Sequence, residues 1–98
     1  MSEELRQKLS EDLLSEAPWE ALELHWQKGS LLAVRGEDLL EVAVAFASDD
    51  SARVRGWLEL GVVARVAPEE AARWRASRES FDAVIVQPWV LLAVGADA

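Results

Sequence analysis

Ninety-eight residues are enough for one domain and too few for two. Hydrophobic residues make up 51%, which supports a packed core and excludes the disordered class. A formal charge of −8 argues against direct binding to nucleic-acid phosphates or anionic lipid, and the lack of cysteine excludes disulfides, thiolate metal sites and a Cys nucleophile.

The charge is unevenly placed. Residues 1–50 hold twelve Asp/Glu against Arg6, Lys8, Lys28 and Arg35, whereas residues 51–98 hold six Asp/Glu and six Arg. A surface of this kind favours solubility and suits a basic partner. The opening "MSEELRQKL" is charged and lacks the apolar stretch of a signal peptide, so a cytoplasmic protein is expected.

Ser2 can cap a first helix, with Glu3 and Glu4 in its first turn, where negative charge suits the dipole. Leu5, Leu9 and Leu13 give it a narrow apolar stripe, and Glu4 and Lys8 can pair. Pro18 restricts Ala17, so the helix is expected to stop near Glu16. Pro18 then suits the first turn of a second helix with Trp19, Leu22 and Trp26 on its apolar face and Gly29 as its terminator. "LLAV", Leu31–Val34, reads as a strand.

"LLEVAVAF" fits both periodicities. Alanine content and the spacing of Asp38 and Glu41, which suits a capping box, favour a helix, and its nearly uniform apolarity predicts deep burial. "SDDS" breaks the chain and caps a fourth helix with Val54, Trp57 and Leu58 on one face, ending at Gly61. "VVARV" reads as a second strand. Pro68, Glu69 and Glu70 open a fifth helix carrying Ala71, Trp74 and a Glu69–Arg73 pair, with further pairs expected at Arg75–Glu79 and Arg78–Asp82. "AVIV" is a third strand. After Pro88, "WVLLAV" continues extended, as a buried strand bent or bulged at the proline. The run Val84–Val94, eleven residues with Pro88 inside it, is too short to span a bilayer, for which about 20 are needed.

The expectation is an α+β fold with about five helices on a small sheet of three to four short strands, drawn from 31–34, 62–66, 83–87 and 89–94. The helices are expected mostly against one face of that sheet. One globular domain covers 1–98, with frayed ends at 1–4 and 95–98.

No catalytic constellation emerges. His25 is the single histidine, and its neighbours one turn away on the helix, Ala21 and Gly29, offer no orienting partner. Neither HExxH nor a phosphate-binding glycine loop is present, so no metal site and no cofactor are expected. Asp49 and Asp50 are explained first as helix caps. They are also candidates, with Arg73 and Arg78, for an anion or ligand site. Trp19, Trp26, Trp57 and Trp74 lie on apolar helix faces and suit the core. Trp89, beside Pro88 and Val90, is the candidate for an interaction surface.

The pieces "PW" with Leu22 behind it, "EVAVA", Trp57 followed by Gly61, and "QPWVL" together resemble a family of small bacterial proteins catalogued as a domain of unknown function. The resemblance spans residues 5–92. It implies a bacterial, cytosolic, single-domain protein and brings no activity, cofactor or functional residue with it.

Three functional readings follow. The first is a non-catalytic interaction or regulatory module that uses Trp89, Pro88 and Val90, or an exposed strand edge, to contact a protein partner or a second copy of itself. The second is a small-molecule or anion binder, conceivably an enzyme, with a Trp-lined cleft. The third is an acidic mimic of nucleic acid, which requires the carboxylates of residues 1–50 to form one continuous face.

Overall fold

The computed structural model describes residues 2–94, with the Ser2 side chain outside the description. The expected Ser2 cap and the expected frayed end at 95–98 therefore lie outside the described residues. Ten elements follow one another: α1 (Ser2–Glu11), β1 (Leu14–Pro18), α2 (Trp19–Gln27), β2 (Leu31–Val34), α3 (Leu39–Ala47), α4 (Ser51–Leu60), β3 (Val63–Arg65), α5 (Pro68–Ser77), β4 (Ser80–Val86) and β5 (Trp89–Ala93). The class is α+β, with five helices as expected. The sheet has five strands rather than three or four, in the order β1-β4-β5-β2-β3.

The additional strand is β1. Helix α1 ends at Glu11, and the last turn tightens through Asp12 N–H to Leu9 C=O and Leu13 N–H to Ser10 C=O. The chain then runs antiparallel to β4, pairing Leu14 with Ala83 and Ala17 with Phe81. Only Ala17 of this strand is buried, so no apolar alternation marks it. The register shifts between Leu14 and Ala17, and Glu16 adopts φ 53° with its N–H donating to the Asp82 carboxylate at 3.2 Å. Pro18, which lacks a donor, is tolerated because β1 is an edge.

The segment around Pro88 reverses direction instead of continuing. Gln87 and Pro88 form a two-residue turn with a cis peptide between them, the arrangement of a type VI turn. Val86 pairs with Trp89 and Ala83 with Leu92 in an antiparallel hairpin. β5 pairs parallel with β2 on its other side, Leu31 opposite Val90. It is therefore an interior strand with no free edge.

Helices cover both faces of the sheet, not mostly one. On the first face, Leu9 of α1, Leu39, Val42 and Ala43 of α3 and Trp57 of α4 pack on Leu32, Val34, Val63, Val84, Val86 and Leu91. On the second, Trp19 and Leu22 of α2 and Ala71 and Trp74 of α5 pack on Leu31, Ala33, Phe81, Ala83, Val90 and Leu92. Alternate residues of each strand go to opposite cores. This is why Leu31–Val34 is apolar at every position, all four being buried.

Helix α3 forms where a strand is the competing reading, and five of its nine residues are buried. Its start differs from the expected capping box: Asp38 makes no side-chain cap. Asp38 instead accepts from Arg6 at 2.7 Å, and Glu41 bridges Arg6 and Arg53 at 3.3 and 3.2 Å. The hydrogen bond to Asp38 raises the Arg6 pKa, against an opposing desolvation. α4 is capped by Asp50, whose carboxylate accepts from the Arg53 N–H, and it ends on left-handed Gly61.

Three further expected pairs, Glu69–Arg73, Arg75–Glu79 and Arg78–Asp82, do not form among the described residues. Arg73 lies 3.7 Å from Glu70, which also accepts from Arg35. Arg75 bonds Glu23, tying α5 to α2 and raising the Arg75 pKa. Arg78 makes no ion pair and closes α5 in the left-handed region, at φ 55° and ψ 49°. A side chain there costs about 1–2 kcal/mol that glycine avoids, part of it offset by glycine's freer unfolded chain. Arg78→Gly is expected to stabilise the fold by about 0.5–1 kcal/mol. That corresponds to a rise of about 3–6 °C in a thermal melt followed by circular dichroism.

Candidate functional site

A cleft opens on the first face, where four chain segments meet. Its floor is Leu32 of β2, Ala45 of α3 and Val86 of β4, all buried. One wall is Phe46 with Val54 and Leu58 of α4; the other is the turn Gln87–Pro88 and Trp89. The cleft measures about 640 Å³. Asp49, Ser51, Gln87 and Arg65 bring its polar groups.

Local structure explains who lines it. The α3–α4 connection is only Ser48–Asp50, so Asp49 must turn the chain between two helices, and it does so with φ 58°. Its N–H donates to Phe46 C=O at 3.3 Å and the Asp50 N–H to Ala45 C=O at 2.9 Å, closing α3. Leu58 follows Trp57 on α4. Trp57 enters the core, while Leu58 is left 49% exposed on the cleft wall. Trp89 is half-buried, packed against the first core where it lines the cleft.

Arg65 has a second setting. It also lines a groove of about 460 Å³ with Trp26, Gly29, Val66 and Pro68. Its Nη1 lies 3.8 Å from the position a Cβ on Gly29 would take, at the C-terminal end of α2. The partial negative charge of that helix end suits a guanidinium.

The sequence candidates separate. Trp89, Pro88 and Asp49 share the cleft. Asp50 turns to capping α4. Val90 is 3% exposed and points into the core beneath α2 and α5, so it presents nothing to a partner. Arg73 and Arg78 belong to α5 on the second face, while Asp49 and Asp50 adjoin α3 and α4 on the first. The anion site combining these arginines and acids is therefore not assembled. The His25 side chain makes no hydrogen bond among the described residues; only its carbonyl is used, by Ser30. Among the described residues no group of three His, Cys, Asp or Glu is placed to hold a metal ion. No helix among them is long and apolar enough to cross a membrane.

The carboxylates of residues 1–50 lie on both sides of the sheet, Glu3, Glu4 and Glu41 with α1 and α3 and Glu20 and Glu23 with α2. Asp38, Glu41 and Glu23 are bound to arginines. The continuous acidic face that nucleic-acid mimicry requires is absent from the described residues, which removes that reading. Phe46, Leu58, Gln87 and Arg65 complete the cleft, and local sequence patterns do not mark them as cleft residues. Leu58, expected on one buried face with Val54 and Trp57, departs from that expectation: Trp57 is buried while Leu58 stays exposed on the cleft wall.

The family model described as "Protein of unknown function (DUF2288)" matches residues 4–93. No curated protein matches the chain. Among solved structures it is similar to PA1075 from Pseudomonas aeruginosa, determined in solution by NMR, at 34% identity and a TM-score of 0.72. That alignment covers 87% of this chain and 77% of the other.

Proposed function

We propose that this chain, which belongs to the DUF2288 family of proteins of unknown function, is a non-catalytic interaction module whose contact site is the cleft beside Pro88 and Trp89. The observation that carries the proposal is the cleft's composition: apolar floor and walls, with a half-buried tryptophan at its mouth. Tryptophan, with tyrosine and arginine, is enriched among the residues that anchor interfaces. A bacterial cytosol is the proposed setting, on the cysteine-free composition and the likeness to a Pseudomonas aeruginosa protein.

The mode is side-chain insertion. Strand addition needs a free, regular edge, and both edges here are blunted. β1 carries a bulge, Glu16 and Pro18, and β3 is three residues long. β5 is paired on both sides.

The test is capture of protein partners from a bacterial lysate on the immobilised chain, compared with Leu58→Glu. That residue is exposed, and glutamate keeps its helix propensity. A partner held by the wild type and lost by the variant, with unchanged circular dichroism, is the expected result. Equal capture by both would remove the cleft from consideration.

One observation favours a second reading. About 640 Å³ lies within the range of small-molecule pockets. A metabolite that changes tryptophan fluorescence and shifts cleft resonances, in the absence of any captured protein, would establish that reading instead.

A further inference from the structure

We propose that the cleft takes a protein segment in which an apolar side chain is flanked by lysine or arginine, and that Asp49 recognises the cation. This rests on the interaction reading above. The cleft carries two charged residues, Asp49 and Arg65, and their surroundings differ.

Arg65 packs its guanidinium against Gly29, where the final carbonyls of α2 supply partial negative charge. Asp49 has no comparable counterpart. It is exposed, and its carboxylate accepts no hydrogen bond and joins no ion pair among the described residues. The adjacent Asp50 carboxylate is used as the α4 cap. The cation closest in sequence, Arg53, is held by Glu41 and lies over the Trp57 ring at 4.8 Å. Asp49 is therefore a cleft carboxylate without a counter-charge among the described residues, whereas Arg65, also exposed and without an ion pair, lies beside the C-terminal end of α2.

The long-range field agrees in sign. The net charge of −8 draws cations toward the molecule at long range. The segment expected has one aromatic or aliphatic side chain on the floor formed by Leu32, Ala45 and Val86. Its basic neighbour reaches the rim at Asp49.

The experiment is selection of random hexapeptides by display on the intact wild-type protein, followed by affinity measurement on the wild type and on Asp49→Asn. Amide chemical shifts locate each peptide. Asparagine keeps the volume and tolerates the left-handed conformation, so the fold is not at issue. Peptides with an apolar residue beside lysine or arginine are expected to shift resonances of 86–89 and 46–58. They are expected to bind Asp49→Asn about two- to five-fold more weakly, and the wild type more weakly in high salt. Peptides that map to the cleft without a basic residue, or that bind both proteins equally, would overturn the role of Asp49 and leave the interaction reading standing. Selection that yields no peptide mapping to the cleft would overturn both.

Discussion

Trp19→Ala is expected to destabilise the fold by about 3–5 kcal/mol, the range for truncating a fully buried tryptophan. Trp19 is 1% exposed and sits at the junction of α2, α5 and the sheet. Its ring centroid lies 6.1 Å from Trp26 and 5.5 Å from Trp74, and Trp74 stands 4.6 Å from Phe81. The Trp19–Trp74 and Trp74–Phe81 pairs are edge-on and the Trp19–Trp26 pair is tilted, and an edge-on contact adds about 0.5–1.5 kcal/mol beyond area. A domain of this size has a total stability of about 5–15 kcal/mol, so a large share disappears with one side chain.

The cause can be isolated. The Trp19 indole N–H has no acceptor among the described residues, whereas the Trp26 indole N–H donates to Val66 C=O at 2.8 Å. Losing Trp19 thus removes packing without breaking a hydrogen bond, and Trp19→Phe should recover most of the loss. Trp26→Phe should cost about 1 kcal/mol more than its area predicts, through the carbonyl it strands. Urea titrations decide the matter: at a slope of about 1.5 kcal/mol per molar, the Trp19→Ala midpoint falls by about 2–3 M. A fall of less than about 0.5 M on that same scale would mean that α2 and α5 do not pack on this face as described.

These cores also show what the amino-acid pattern carries and what it does not. Leu31–Val34, the α3 helix and the Gly61 terminator are local features, set by apolar runs, alanine content and a left-handed glycine, and each is legible in a few consecutive residues. The continuous apolarity of Leu31–Val34 also implies two covered faces, an implication that the expectation of one covered face leaves out. β1 leaves no such trace, because one buried alanine beside a bulge makes neither alternation nor an apolar run. The turn at Gln87–Pro88 is legible as a break but not as a reversal, since a proline ends regular pairing in either case.

The cleft is harder still. Its lining comes from residues 32, 45–58, 65 and 86–89, joined only by pairings such as Leu32 with Arg65 and Val86 with Trp89. No local rule places Asp49 beside Trp89 and Arg78 on the far side of the sheet. That assignment depends on which face each helix covers, which is a long-range property of the strand order.

Trp89 and Val90 are consecutive on β5, and they should separate binding from stability. Trp89 lines the cleft on one face, while Val90 is buried in the core on the other. Trp89→Ala is expected to weaken a cleft-binding peptide by about 2 kcal/mol, or roughly 30-fold, the scale of an interface anchor. Its effect on folding should stay near 1–2 kcal/mol, because the ring is only half-buried and alanine keeps the backbone pairing with Val86. Val90→Ala should do the reverse: it removes buried apolar surface beside Leu31 and Leu92, costing about 1.5–3 kcal/mol of stability with peptide affinity unchanged. Anisotropy titrations of a selected labelled peptide, run beside urea melts of the same two variants, measure both quantities. Equal affinity loss in the two variants would mean that binding follows global stability and that the cleft has no anchor at Trp89. An affinity loss confined to Trp89→Ala, with Val90→Ala the less stable of the two, is the pattern that alternation along one strand requires.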